Sequence, residues 1–145
     1  MPTFNKNAEG GVFIVTSSVA GKALSGSSMA YSVTKAAQLQ LIRCLANTQG
    51  TNVRVNAVLP GLLLTEWGLK YPKEAIEGIK NMSPLKHETF LDDCADMYIS
   101  LAENTSMTGQ QIAVGRLFRS PFESQWEARS GVLTCPDAGI AIASM

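Results

Sequence analysis

The sequence predicts an α/β domain built on a parallel sheet. Two short apolar runs rich in β-branched residues, Val12 to Thr16 and Val53 to Leu59, flank one long helical pattern, and a strand–helix–strand order makes one βαβ crossover. At 145 residues the chain has room for one ordinary domain. Hydrophobic residues make up 46% and charged residues 17%, with 12 basic against 12 acidic side chains. That balance argues against a disordered chain and against an electrostatically driven nucleic-acid binder, and favours a small-molecule protein. No apolar run approaches the roughly 18 residues that span a bilayer, and Met1 to Lys6 lacks the apolar stretch of a secretory signal. The expected compartment is therefore the cytoplasm, with neither membrane nor nucleic acid as partner.

Gly10-Gly11 precede the first run, whose continuous apolar character reads as a strand buried on both faces. Ser17 to Ser28 follows as a serine- and glycine-rich loop. Ala30, Val33, Ala37, Leu41, Cys44 and Leu45 then fall on one helical stripe that ends before Gly50, with Arg43 toward the negative end of the dipole. Leu39, Ile42 and Ala46 form a second stripe, so the helix is apolar over more of its circumference than one sheet contact requires, leaving a face for a second neighbour.

Val53 to Leu59 alternates apolar and polar residues at first and stops at Pro60-Gly61, a strand entering a loop. The loop from Gly61 to Tyr71 carries Leu62-Leu63-Leu64 and Trp67, too apolar for a solvated connection, so it either packs over the body or covers a ligand. Pro72 suits the first turn of a short helix through about Asn81, and Leu91, Cys94, Ala95, Tyr98, Leu101 and Ala102 share helical spacing after it. Thr108-Gly109 turns into a last strand, Gln111 to Val114. From Arg116 to Met145 no period is sustained, and Pro121 and Pro136 interrupt an irregular tail.

Metal chemistry has little to stand on. Cys44, Cys94 and Cys135 make no C-x-x-C pair and His87 is the single histidine, so no metal site is expected. Cys44 and Cys94 read as small buried hydrophobes.

Tyr31 and Lys35 are four residues apart at the start of the long helix, so both project from one face toward a shared ligand. With 3 tyrosines and 7 lysines, that spacing arises by chance about 0.14 times in such a chain. Its context carries more: Ser18 lies at the end of a strand 13 residues before the tyrosine, and a second strand closes in Asn56-Ala57-Val58-Leu59-Pro60-Gly61.

These motifs resemble the short-chain dehydrogenase/reductase family. The likeness runs from about Gly11 to Val114, through Val15-Thr16-Ser17-Ser18, Tyr31-Ser32-Val33-Thr34-Lys35, Val53 to Gly61 with Thr65, and Thr108-Gly109-Gln110. It implies a Rossmann-like, doubly wound parallel sheet of which the chain holds the C-terminal half, the dinucleotide-binding strands of the N-terminal half being absent. It implies NAD or NADP as cofactor, and a small-molecule carbonyl or alcohol as substrate. Tyr31 would be the general acid/base, Ser18 would hydrogen-bond the reacting oxygen, and Lys35 would support Tyr31 and hold the nicotinamide ribose. Pro60, Gly61, Leu63 and Thr65 would border the nicotinamide. A phenol is too weak an acid for base work at neutral pH, but an ammonium at about 4 Å in an effective dielectric of about 20 supplies roughly 4 kcal/mol, enough to close that gap.

Nothing in the sequence matches the family's glycine-rich dinucleotide turn, and Gly115-Arg116 stand where an acidic residue and glycine are usual. Residues 1–115 are accordingly expected to form a partial catalytic domain, with 116–145 a tail unlike the family. The alternative is a non-catalytic fragment that associates with intact relatives. A homo-oligomer through the helix of residues 29–48 is the matching expectation, since that helix commonly lies at a subunit interface in the family.

Overall fold

The structure is a computed structural model that describes residue 4 and residues 6–23, 28–49 and 51–115. Three parallel strands, β1 (Gly11–Thr16), β2 (Val53–Pro60) and β3 (Gln111–Val114), form one sheet in the order β1-β2-β3. The crossover from β1 to β2 is the long helix α1 (Met29–Gln49); that from β2 to β3 contains α2 (Lys73–Met82) and α3 (Leu91–Glu103). Register runs Gly11 to Val53 through Thr16 to Val58 on one side of β2, and Ala57 to Gln111 through Pro60 to Val114 on the other. Every predicted element is present; the reading of the tail at 116–145 lies outside the described residues.

The pleat divides the core. Phe13, Val15, Val53, Val55, Ala57, Leu59 and Ala113 face α1 and pack on Leu39, Ile42, Leu45 and Ala46. Ile14, Val58, Ile112 and Val114 face the other way, onto Cys94, Met97, Tyr98 and Leu101 of α3. Helices thus cover both faces of a parallel sheet, the doubly wound arrangement.

Two burial expectations are corrected, those for β1 and Cys44, and the structure decides which stripe of α1 meets the sheet. β1 is half-buried rather than buried on both faces, because among the described residues it bonds to β2 alone and its other edge is open. On α1 the stripe that meets the sheet is Leu39, Ile42, Leu45 and Ala46, while Ala30, Val33, Ala37, Leu41 and Cys44 are exposed. Both stripes are apolar, so periodicity alone does not say which one the sheet takes. Cys44 is therefore a surface residue, whereas Cys94 is buried as expected, and burial pushes its thiol upward.

The polar positions of β2 face α3 and the loop beyond it. Arg54 donates to Leu101 O and Ala102 O, both at 2.7 Å, placing a cation at the end of a helix whose last turn has no basic residue of its own. Asn56 is fully buried; its Nδ2 donates to Met107 O at 2.8 Å and its Oδ1 accepts from Gln110 N–H at 3.0 Å. One amide thus pins the 107–110 turn that delivers β3 to the sheet.

Asn56→Ala removes the partner of the Met107 carbonyl and of the Gln110 N–H at once, two bonds that are part-buried. The expected loss is about 2–4 kcal/mol of unfolding free energy in urea titration, and a loss below about 1 kcal/mol would show that the turn holds without the amide.

Candidate active site

Every candidate residue lies at the carboxyl ends of the parallel strands, where open α/β sheets place ligands. β1 ends at Thr16 and the chain turns at once. Ser18, extended at φ −163° and ψ 153°, caps a single 3-10 turn, Val19–Gly21, with its Oγ accepting from Ala20 N–H at 3.2 Å. Because that bond occupies a lone pair, the Ser18 hydroxyl hydrogen is free to be donated elsewhere.

The turn is locked onto α1. Ser17, buried at 3% exposure, donates from Oγ to Lys35 O at 3.2 Å. Gly21 lies flat on the same helical turn: a Cβ there would stand 2.9 Å from the Lys35 carbonyl carbon and 3.1 Å from Ala36 N. Glycine is needed here for close approach between two backbones.

α1 begins at Met29, with Ser28 Oγ accepting from Tyr31 N–H at 3.1 Å in the manner of an N-cap. Tyr31 and Lys35, both partly buried, share one face, and Lys35 Nζ lies 5.6 Å from the centre of the Tyr31 ring, within cation–π reach. Nζ also donates to Thr16 O at 3.2 Å. The end of β1, the serine turn and the Tyr31/Lys35 pair are therefore one connected unit.

The second group is less uniform. Pro60 is buried at the end of β2, and Gly61 N–H donates to Val114 O at 2.9 Å, extending the β2–β3 ladder by one bond. Leu63 packs into the α3-side core and bridges in parallel to Thr89, whose N–H donates to Leu62 O at 3.3 Å. Thr65 is exposed and its Oγ1 accepts from Gly68 N–H at 3.4 Å. The apolar loop thus does part of each thing its sequence allows. Leu62, Leu63 and Leu64 are half-buried against the body, while Trp67 stays 56% exposed and packs edge-on to Tyr71 at 5.3 Å. From the last turn of α2, Lys80 pairs with Glu88 at 3.1 Å and ties the loop before α3 to α2. The Glu88 carboxyl is held below its usual range, first by its own backbone N–H and then by Lys80.

Three contributors escaped the sequence reading. Ser17 and Gly21 do the docking, and the adjacent serines and the glycine were visible but ambiguous. Tyr98 of α3 is the third: its hydroxyl lies 2.7 Å from Thr16 Oγ1, across 82 residues of chain, and no local pattern signals such a contact. Burial raises the Tyr98 phenol, with the Thr16 bond acting in the opposite direction.

The chain is similar to known proteins in sequence and in fold. Residues 2–116 match the family model described as enoyl-(acyl carrier protein) reductase. The short-chain dehydrogenase/reductase homolog YusR of Bacillus subtilis is 33% identical over 111 residues, covering 77% of this chain and 85% of that protein. The human (3R)-3-hydroxyacyl-CoA dehydrogenase is 33% identical over 112 residues, 74% of this chain and 43% of its own. A 3-oxoacyl-[acyl-carrier protein] reductase from Brucella melitensis superposes with a TM-score of 0.71 at 30% identity, covering 77% of this chain and 44% of that one. A structure of such a reductase from the same organism with bound NAD gives 0.68, also at 30% identity, over 77% of this chain and 43% of that one. The chain belongs to the short-chain dehydrogenase/reductase family. It spans less than half the length of the human and Brucella proteins.

Gly21→Ala tests the docking. Its Cβ meets backbone rather than a movable side chain, so the expected cost is about 1–3 kcal/mol in chemical denaturation. The Lys35 and Ala36 amide resonances should shift with it; a variant with parental stability and unshifted amides would show that the turn does not press on the helix.

Proposed function

We propose that the protein is an NAD(P)-dependent oxidoreductase that interconverts a carbonyl and an alcohol, with Ser18, Tyr31 and Lys35 as its catalytic residues. The observation that carries this reading is the connected unit at the end of β1, in which one serine is left free to donate and a tyrosine lies under a lysine ammonium. In reduction, Tyr31 gives its phenolic proton to the carbonyl oxygen; in oxidation, it takes the proton from the alcohol. Ser18 donates a hydrogen bond to the same oxygen as charge develops there, and the Lys35 ammonium favours the phenolate that remains.

The nicotinamide supplies or accepts the hydride when bound. The residues present fit that end of the cofactor. An ammonium carries three hydrogens, of which Thr16 O takes one, leaving donors for ribose hydroxyls. Pro60, Gly61, Leu63 and Thr65, at the same end of the sheet, would border the ring, with Thr65 presenting an exposed hydroxyl. The described residues offer no glycine-rich turn for the pyrophosphate. For substrate, the apolar loop with Leu62, Leu64 and Trp67 suits a carbonyl carried on a hydrocarbon chain, and the named relatives support a 3-oxoacyl or 3-hydroxyacyl thioester.

Turnover is the test: consumption of dihydronicotinamide in the presence of a 3-oxoacyl thioester. Tyr31→Phe keeps the ring under the ammonium and removes the proton, so kcat should fall on the order of 10²–10⁴-fold with cofactor affinity within about threefold. Turnover near that of the parent would refute the role of Tyr31.

A second reading, association with a further copy or an intact relative, is favoured by the exposed stripe of α1. Val33 is 62% and Leu41 54% exposed on a face shared with Ala37 and Cys44. The expected assembly packs two such helices together. Val33→Asp combined with Leu41→Glu should convert it to monomer in sedimentation, with circular dichroism unchanged; an unaltered sedimentation coefficient would place the interface elsewhere.

A further inference from the structure

Thr16, the last residue of β1, is held from both faces of the sheet. Its side chain follows Ile14 toward α3, where its hydroxyl meets Tyr98 OH at 2.7 Å. Its backbone points elsewhere. Gly11 and Ser17 donate their N–H groups to Asn52 O, just before β2, and to Val58 O on β2, so Thr16, one residue out of step with them, directs its carbonyl to the opposite, open edge. Lys35 Nζ takes that carbonyl at 3.2 Å.

A strand end with one remaining ladder bond frays unless something else restrains it. Ser17 anchors the backbone just beyond it, and the Thr16 side chain is restrained by Tyr98, which is partly buried and packed in the α3-side core with Met97 and Leu101, while Thr16 itself is exposed. The rigid partner therefore fixes the loose one.

We infer that Tyr98 is a positioning residue for the Lys35 ammonium: by bonding the Thr16 hydroxyl it orients the Thr16 carbonyl, and that carbonyl holds Nζ above the Tyr31 ring. The inference rests on the reading of Lys35 as a site residue. It adds a group on the opposite face of the sheet that touches neither substrate nor cofactor.

The measurement is made on the Lys35 ammonium itself, in the full chain, by nitrogen-15 resonance and hydrogen exchange with water, Lys35→Arg identifying the signal. Loss of one hydrogen bond in the relay should speed exchange about 5-fold in Tyr98→Phe and about equally in Thr16→Val. The double variant should exchange no faster than either single one, since both cut the same link. Thr16→Ser keeps a hydroxyl and should keep the parental rate, as should Ile99→Ala, which alters an exposed position of the same helix. Parental exchange in folded Thr16→Val or Tyr98→Phe would overturn the inference, as would acceleration in Thr16→Ser. If Tyr98→Phe fails to fold, Thr16→Val carries the test alone. No turnover enters this readout, so its failure is separate from that of the oxidoreductase reading, which rests on the Tyr31→Phe assay.

Discussion

The contact on which the site depends is the one between the Val19–Gly21 turn and the backbone of α1 at Lys35. Two peptide groups meet there at a distance that leaves no room for a Cβ, and the Ser17 hydroxyl bonds the Lys35 carbonyl beside them. This contact sets the position of Ser18 relative to the first turns of the helix, and hence relative to Tyr31 and Lys35. Without it, a serine at the end of a strand and a tyrosine at the start of a helix are joined only by a loop. With it, 13 residues of separation become one surface.

The sheet supplies the platform through its alternation. Odd-numbered residues of β2 build the core against α1, and the even-numbered Arg54, Asn56 and Val58 build the one against α3. Placing an arginine and an asparagine in a central strand would be costly if their polar groups were left unpaired. Both are satisfied by backbone groups of the segment that leads into β3, so the polar atoms decide where that segment ends its helix and turns. Hydrophobic burial holds the layers together without direction; these hydrogen bonds select one arrangement of them.

The exposed stripe on α1 and the open edge of β1 are two of the places, among the described residues, where apolar surface or unpaired backbone is left over. They differ in kind. The helix stripe is a side-chain surface with all backbone bonds closed, suited to packing against another helix. The β1 edge is partly used by the site itself, because the Thr16 carbonyl on that edge is taken by Lys35.

Local chemistry in the sequence determined the elements and their order: β-branched runs, helical spacing, Pro60-Gly61 and Thr108-Gly109 mark them to within a residue or two. It also determined that Tyr31 and Lys35 share a helical face, since a spacing of four residues does so in any α-helix. Which of two apolar stripes on α1 meets the sheet, and whether Arg54 and Asn56 face water or protein, only the tertiary structure decided. Those outcomes depend on what the remaining chain packs against each face, and one periodicity is compatible with either. The link from Tyr98 through Thr16 to Lys35 is of the same kind. It joins residues 82 and 19 positions apart through groups whose chemistry is ordinary, and only the stacking of two helices on opposite faces of one strand brings them into contact.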